Sequence, residues 1–358
     1  MKILYAIQGT GNGHITRAEV LLDAFRALPN TTVDVLVSGT EYNLKLPFDV
    51  KYSLRGLSFV FGKKGGIDYR CTLAGLRFGR LLRDIRKLPV WEYDLVVSDF
   101  EPVSAWAAKI RKVPCVGLSN QAHLLAEPGT GKKPGWLNRL ILKNYAPSGN
   151  AVGFHYIPND RYTFPPVIRS RVRNAPVGRG EHFLVYLPSY SDLQIIRTLR
   201  QVRGLKWVVY SKRATRTEHY GHISIHPLQE SGFVADMANC RGMVCNAGFG
   251  TTSEALHLGK KMLIIPMKKQ YEQQHNAGFL ESIGVHTMNA LHPDAANDIA
   301  HWARHAKPIK LTYNDQRDVV VQAVLTRYAQ LIPDDTKAYA SITELLKGIS
   351  ARKGVVTE

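Results

Sequence analysis

Residues 245–256 read CNAGFGTTSEAL, and this stretch is the most informative part of the sequence about the fold. A predicted apolar strand ends at Cys245, a turn with two glycines follows, and three hydroxyl side chains lead into a helical pattern. Such a turn between a strand and a helix places backbone N–H groups and the positive end of the helix beside a ligand. The stretch therefore predicts an anion-binding turn at the carboxyl end of a buried strand. Plain capping of a helix by Thr or Ser is the structural alternative.

Strands and helices alternate on both sides of this stretch. Strands are predicted at residues 3–7, 33–37, 94–99, 113–118, 182–187, 207–210, 242–245 and 262–266. Helices are predicted at residues 18–25, 104–110, 193–202, 233–238, 252–258, 316–331 and 339–347. Continuous apolar strands separated by helices indicate parallel sheets covered on both faces. The pattern predicts two Rossmann-like, doubly wound α/β domains facing a cleft, with ligands beyond the carboxyl ends of the strands.

The length of 358 residues also favours two domains, because a single core rarely grows beyond about 250–300 residues. The predicted N-terminal domain spans residues 1–165. Residues 166–180, rich in proline, arginine and glycine, are the predicted linker. The second domain is predicted at 181–330, followed by C-terminal helices at 331–358.

A second glycine-rich turn follows the first predicted strand and ends in a histidine. Its members are Gly9, Thr10, Gly11, Asn12, Gly13 and His14. It lacks the Gly-Lys-Ser/Thr ending of an ATP-hydrolysing phosphate loop. An imidazole suits general-base work near neutral pH, provided that a carboxylate fixes its tautomer. Asp99, at the end of a later strand of the same sheet, is the predicted partner, and Glu101 is a weaker alternative.

Residues 268–277, KKQYEQQHNA, are predicted to form a polar loop after the strand at 262–266. Glu272 and Gln273 can accept and donate hydrogen bonds to several vicinal hydroxyls, as recognition of a sugar requires. A solvated helix start is the structural alternative. Proximity to the glycine turn at 245–256 favours the sugar site.

Three separated pieces, the turn ending at Glu254, Pro266 and Glu272–Asn276, together resemble the nucleotide-sugar signature of inverting GT-B glycosyltransferases. The similar families are the peptidoglycan lipid-intermediate N-acetylglucosaminyltransferases and the UDP-glycosyltransferases. The loop at residues 9–14 is similar to the first loop of the same families. The resemblance implies a GT-B fold and an inverting transfer, catalysed by His14 with Asp99, from a nucleoside diphosphate sugar, expected to be a UDP-sugar.

The resemblance also implies roles for the donor-binding residues. Glu254 would bind the ribose, and Gly248, Phe249, Gly250, Thr251 and Thr252 would form the turn that holds the diphosphate. Glu272, Gln273, Gln274 and Asn276 would contact the sugar, Phe233 and Val234 would pack against the base, and Ser189 and Ser191 would lie on the phosphate side.

The chain carries 47 Lys and Arg residues against 29 Asp and Glu residues, a net charge of +18. Residues 62–89 and 132–143 belong to the first domain, to which the resemblance assigns the acceptor. They combine basic and apolar side chains, as helices at an anionic membrane surface do. An amphipathic helix that packs on its own sheet with a solvated basic face is the structural alternative. The charge predicts an anionic acceptor, or an anionic membrane carrying a lipid or glycan acceptor. A nucleic-acid partner held by Arg169, Arg171 and Arg173, and a sugar-nucleotide sensor without activity, are the alternatives.

Several classes of protein are disfavoured by the sequence. No apolar run reaches the length of about 18–20 residues of a membrane span. The first apolar run breaks at Gln8 and lacks a cleavage site, so we expect a cytoplasmic protein, peripheral on the membrane if bound to it. Cys71, Cys115, Cys240 and Cys245 are expected to be core thiols. No Asp-x-Asp motif is present, so we expect neither a metal nor a cofactor beyond the nucleotide-sugar substrate.

Overall fold

The computed structural model describes residues 1–10, 12–39, 46, 48–57, 78–121, 143–268, 270–292, 294–332, 342–346 and 349. Gly11 and Cys71 lie outside these residues, as do most of the basic segments at 62–89 and 132–143 and part of the helix predicted at 339–347. Within the described residues, no helix is both long and apolar enough to cross a membrane.

The first sheet contains seven described strands: β1 Lys2–Gln8, β2 Thr32–Ser38, β3 Tyr52–Leu54, β4 Leu95–Asp99, β5 Cys115–Leu118, β6 Asn150–Phe154 and β7 Thr163–Phe164. All pairings are parallel, in the order β3-β2-β1-β4-β5-β6-β7. The helices of this half are α1 Gly13–Arg26, α2 Phe78–Lys87 and α3 Pro102–Arg111, with a 3₁₀ turn at Val90–Glu92. The apolar side chains of β1 and β4 are fully buried, as expected for a parallel sheet covered on both faces.

The second sheet repeats this plan: β8 His182–Tyr186, β9 Lys206–Ser211, β10 Glu218–Tyr220, β11 Ile223–Pro227, β12 Gly242–Cys245, β13 Met262–Ile264 and β14 His286–Thr287. The order is β10-β11-β9-β8-β12-β13-β14, and only the edge strand β10 runs antiparallel to its neighbour. In chain order, the short helix α4 Ser170–Arg173 comes between the two sheets. The later helices are α5 Asp192–Leu199, α6 Glu230–Asn239, α7 Phe249–His257, α8 Tyr271–Ser282, α9 Ala295–His305 and α10 Arg317–Ala329.

Strand order reverses once in each sheet, between β1 and β4 and between β8 and β12. At such a reversal, the connections that follow the two strands lie on opposite faces of the sheet. The crevice that opens between them, beyond the strand ends, is where ligands bind in sheets of this kind. Both glycine turns follow strands that border these crevices. The two-domain α/β fold predicted from the alternation is thus confirmed.

Helix α10 returns from the second half of the chain to the first sheet. It packs beside β6 and α1, the Asn150 side chain donates to the Arg327 carbonyl at 3.0 Å, and Arg327 Nε donates to the Ala151 carbonyl at 3.2 Å. The first sheet ends at Phe164 and the second begins at His182. The boundaries given to the domains and the linker stay a prediction.

The structure differs from the sequence prediction in its less regular elements. Strands β6, β11 and the edge strands were not predicted, and neither was helix α9. The segment predicted as a loop at 268–277 is a helix from Tyr271 onward, so that prediction was wrong. Several of the side chains that this helix buries are polar. The helix therefore lacks the apolar periodicity from which helices are predicted.

Candidate active site

His14 and Asp99 meet where the strand order of the first sheet reverses. Asp99 is the last residue of β4 and pairs in register with Ile7 of β1, while His14 lies in the first turn of α1. His14 Nδ1 is 2.7 Å from Asp99 Oδ1, and the carboxylate is fully buried. Arg17 Nη2 is 2.9 Å from the same nitrogen. In the tautomer that carries its proton on Nδ1, His14 donates to Asp99, and Nε2 is left able to take a proton.

Arg17, which the sequence analysis did not identify, shares the same carboxylate. It lies one turn after His14, and its Nε and Nη2 donate to the two oxygens of Asp99 at 2.9 and 2.5 Å. Burial alone would raise the pKa of Asp99, but the charges of Arg17 and His14 and their hydrogen bonds hold that pKa below its ordinary value. Asp99 is therefore kept as an anion beside the imidazole. The i, i+3 spacing of His14 and Arg17 was the signal available in the sequence.

Glu101, the weaker alternative partner, caps a helix. Its two carboxylate oxygens accept from the backbone N–H groups of Val103 and Ser104 at 2.8 and 2.6 Å, at the start of α3. Between Asp99 and Glu101, Phe100 takes a left-handed backbone conformation with φ of 55°. Bulky residues adopt this conformation rarely, and here it lets the chain turn sharply after Asp99.

The first glycine turn is held against its own sheet. Gly9 N–H donates to the Ser38 carbonyl at 2.5 Å, and Gln8 Nε2 donates to the Thr10 hydroxyl at 2.5 Å. The Asn12 carbonyl accepts from Thr16 N–H at 3.0 Å, and this bond closes the first turn of α1, which begins at Gly13. No side-chain hydrogen bond from Asn12 caps this helix, so its first N–H groups are not capped in that way.

The second glycine turn starts α7 in the same manner. Gly248 is the N-cap residue, which has no side chain to cap the helix. Of the predicted hydroxyl donors, Thr252 is fully buried and bonds to the Gly248 carbonyl at 2.9 Å and to the Tyr156 hydroxyl at 2.7 Å. The partly exposed groups at the helix start are Gly248, Gly250 and Thr251.

The starts of α1 and α7 lie side by side, although they belong to different halves of the chain. A Cβ atom added at Gly250 would be 3.9 Å from the Thr16 hydroxyl. Both helix starts carry backbone N–H donors and partial positive charge. Together they form a place where an anion such as a diphosphate is stabilised.

Glu272 links the two halves through side chains that the sequence analysis did not identify. Asn120 Nδ2 and Gln121 Nε2, just beyond β5, donate to its two oxygens at 2.6 and 2.8 Å. Asn120 Oδ1 also accepts from Arg17 Nη1 at 3.2 Å. Hydrogen bonds therefore run without a break from the His14–Asp99 pair to Glu272.

The amides that follow Glu272 hold backbone in place. Met267 N–H donates to Gln273 Oε1 at 2.9 Å, and Gln274 Nε2 donates to the Met267 carbonyl at 3.1 Å. Asn276 Nδ2 donates to the Ala247 carbonyl at 3.0 Å. These three side chains fix the loop before α8 and the glycine turn relative to each other, whereas Glu272 faces the first half.

The remaining predicted donor residues lie around the second crevice. Phe233 and Val234 belong to α6, and both are buried in the core. The Ser189 hydroxyl donates to Asn246 Oδ1 at 3.0 Å, beside the glycine turn. Ser191 caps α5, its hydroxyl accepting from Gln194 N–H at 3.3 Å. Ser189 is therefore placed at the turn, and Ser191 at a helix start.

Glu254 is paired with an arginine from the segment between the two sheets. Arg169 Nε and Nη2 donate to its two oxygens at 2.7 and 2.8 Å, and both side chains are buried. Arg171 contacts the carboxylates of Glu19 and Glu230, and Arg173 Nη1 donates to the Tyr313 carbonyl at 2.5 Å. These contacts oppose the alternative that the three arginines form an open surface for nucleic acid.

Metal binding and thiol chemistry depend on acidic, histidine and cysteine side chains. No group of three or more His, Cys, Asp and Glu residues there is arranged to hold a metal ion. Cys115, Cys240 and Cys245 are buried and free. Burial raises the pKa of Cys115 and Cys245 to about 12 and that of Cys240 to about 11, as expected of core thiols.

Solved structures share the fold at low sequence identity. MurG of Acinetobacter baumannii gives a TM-score of 0.53 at 12% identity, covering 98% of this chain and 100% of that one. Arabidopsis thaliana UGT89C1 complexed with UDP-L-rhamnose gives 0.55 at 11% identity, covering 97% and 98%. A UDP-N-acetylglucosamine 2-epimerase gives 0.55 at 12% identity, covering 92% and 97%. At such identities the likeness establishes the fold.

No curated protein matches the sequence. The profile of glycosyl transferase family 1 matches residues 1–304, most of the 358-residue chain. The family agrees with the two parallel sheets and with the GT-B structures above. The chain therefore belongs to glycosyl transferase family 1 and is a glycosyltransferase with the GT-B fold.

Proposed function

We propose that this glycosyltransferase moves a sugar from a nucleoside diphosphate donor, expected to be a UDP-sugar, to an acceptor hydroxyl with inversion. The observation that carries the proposal is the 2.7 Å contact between His14 and Asp99 at the first crevice. A base fixed by a buried carboxylate next to two helix starts fits a one-step displacement.

In this mechanism the acceptor hydroxyl gives its proton to His14 Nε2 as its oxygen attacks the anomeric carbon. The bond from that carbon to the diphosphate oxygen breaks, and the leaving group takes the electron pair. Asp99 stabilises the imidazolium through Nδ1–H. The N–H groups at the starts of α1 and α7 stabilise the charge that develops on the diphosphate, so we propose that no divalent metal is needed.

The donor would lie along α7 and α8. Glu254 would bind the ribose, Gly250 and Thr251 the diphosphate, and Glu272 the sugar hydroxyls. Glu272 is bonded to Asn120 and Gln121, so a bound sugar would replace or share these amide donors. One of the similar proteins was solved in complex with UDP-L-rhamnose, and another is named for UDP-N-acetylglucosamine, which favours UDP as the first nucleotide to test.

The acceptor is proposed to be a lipid or a membrane-associated glycan. On α2, Arg83 and Arg86 are exposed beside the exposed Leu82. The Arg111 guanidinium lies 4.6 Å from the ring of the exposed Trp91 and donates to the Arg86 carbonyl at 3.2 Å. A basic surface with exposed apolar side chains favours an anionic bilayer on the cytoplasmic side.

The deciding experiment compares His14→Ala with the parent protein. A panel of nucleotide sugars in thermal shift identifies the donor, and transfer is then measured with a lipid extract as acceptor, with and without EDTA. His14→Ala should lower turnover by about 10²–10⁴-fold. The affinity of this variant for the nucleotide, measured by calorimetry, should equal that of the parent. Unchanged turnover in the folded variant would show that His14 is not the base, and loss with EDTA would refute metal independence.

Flotation tests the acceptor surface. The protein should float with vesicles that contain anionic lipid, remain unbound with neutral vesicles, and lose binding when Arg83 and Arg86 are replaced by glutamate. An RNA gel shift at matched salt is run beside it. Binding to RNA without binding to vesicles would contradict the membrane proposal.

A further inference from the structure

A chain of charged side chains, separate from the His14–Asp99 pair, connects the two halves of the molecule. Its members are Glu19 of α1, Arg169 and Arg171 at α4, Glu230 of α6 and Glu254 of α7. Arg169 forms a two-point contact with Glu254 at 2.7 and 2.8 Å and reaches Glu230 with its third nitrogen. Arg171 lies between Glu230, at 2.9 Å, and Glu19.

The two arginines of this chain differ in burial. The side chains of Arg169 and Glu254 are 6% and 7% exposed, whereas that of Arg171 is 40% exposed. A buried, two-point contact between a guanidinium and a carboxylate fixes the position and the plane of both groups. An exposed pair holds its members only weakly. Arg169 therefore sets the orientation of the Glu254 carboxylate, and Arg171 does not touch it.

This orientation matters for a hydroxyl ligand. Each carboxylate oxygen has two lone pairs, and Arg169 uses one on each oxygen of Glu254. One lone pair on each remains for another donor, and a carboxylate that is already held in place loses little freedom when it binds that donor.

We propose that Arg169 is a positioning residue of the donor site, which holds Glu254 for the ribose hydroxyls and so makes the enzyme prefer ribonucleotides over 2′-deoxyribonucleotides. This inference rests on the proposed function, in which Glu254 binds the ribose. Arg169 itself does not touch the nucleotide in this proposal. It acts on the ligand only through Glu254.

The test is the ratio of the affinities for UDP and 2′-deoxy-UDP, measured by calorimetry. The variants are Arg169→Lys, Arg169→Met and Glu254→Gln, and Arg171→Met is the matched control, because it changes an arginine of the same short helix that also contacts Glu230. If UDP is not the nucleotide bound, the ADP or GDP pair is used in the same way. Circular dichroism checks folding, and Arg169→Lys, which keeps the charge, decides the question if Arg169→Met does not fold.

The parent and Arg171→Met should bind UDP about tenfold more tightly than 2′-deoxy-UDP, as one hydrogen bond to a charged group provides. Glu254→Gln and Arg169→Met should reduce this ratio to about one, and Arg169→Lys to an intermediate value, with the loss falling on UDP. Equal weakening of both nucleotides by Arg169→Lys and Arg169→Met would overturn the inference while the ribose role of Glu254 stands. A full ratio in Glu254→Gln would instead overturn that role, and the inference with it.

Discussion

At the scale of the residue, one buried carboxylate has two partners, a guanidinium and an imidazole. Asp99 accepts from Arg17 at both oxygens and lies 2.7 Å from the imidazole of His14. In a simpler pair of histidine and aspartate, the imidazolium alone would neutralise the carboxylate. Here the permanent charge of Arg17 also lowers the pKa of Asp99, so the ionisation of Asp99 depends less on the state of His14.

Arg17→Met tests this arrangement through pH. Burial alone raises the pKa of Asp99, and Arg17 is the first of the charges that lower it. Without Arg17 the pKa of Asp99 should rise, and the acidic limb of the kcat profile should move to higher pH. Arg26→Met, at the exposed end of the same helix, is the control, and an unmoved limb in Arg17→Met would contradict the role given to Arg17.

The same shift has a consequence for stability. A lowered folded pKa contributes stability above the unfolded pKa of about 3.9, which is lost as the pH falls through the folded value. Arg17→Met should therefore lower the free energy of unfolding by about 3–5 kcal/mol at neutral pH. The difference should shrink in strong acid.

Single residues were predictable where they follow a strand. Asp99 ends one apolar strand and His14 ends the glycine turn that follows another, and both strands end at one edge of a sheet, so their meeting followed from topology. Arg17 shares a helix face with His14, and its spacing was visible. Arg169 and Glu254 are 85 positions apart, and no local pattern connects them. The partners of Glu272 are likewise set by the packing of one half on the other.

At the scale of the element, the start of α7 separates two neighbouring threonines. Thr252 faces inward and bonds to Tyr156 and to the first turn of its own helix, while Thr251 is partly exposed. Both threonines were predicted to hold the diphosphate, because the sequence does not show which hydroxyl at a helix start lies on the buried face.

Thr251→Val and Thr252→Val form a matched pair. Thr251→Val should weaken nucleotide binding by about tenfold, since it removes a hydroxyl available to the diphosphate. Thr252→Val should leave that affinity near the parent value and lower the free energy of unfolding by about 1–3 kcal/mol, because Tyr156 loses its partner. Calorimetry and urea denaturation measure the two effects, and the reverse pattern would show that Thr252 binds the donor.

At the scale of the whole molecule, Glu272 closes one half of the chain on the other. Its hydrogen bonds with Asn120 and Gln121 span the two halves. The α/β alternation predicted both halves and their parallel sheets, because it depends on local patterns. The contact between the halves depends on side chains that no periodicity marks.

A variant with both Asn120→Ala and Gln121→Ala tests this closure. Without nucleotide, small-angle scattering should give a larger radius of gyration than for the parent, because Glu272 has lost its partners in the first half. Asn150→Ala removes an amide that binds α10 and does not contact Glu272, and it should leave the radius unchanged. An unchanged radius in the double variant would show that other contacts hold the halves together.

The adjacent starts of α1 and α7 also bear on what happens after the reaction. The N–H groups that stabilise the departing diphosphate still bind it after the sugar has been transferred. No later chemical step weakens this binding. The free nucleotide is therefore expected to be a competitive inhibitor, and its escape to limit steady-state turnover. Rapid mixing should then reveal an initial burst of glycosylated acceptor, and a linear time course from the first turnover would exclude slow release.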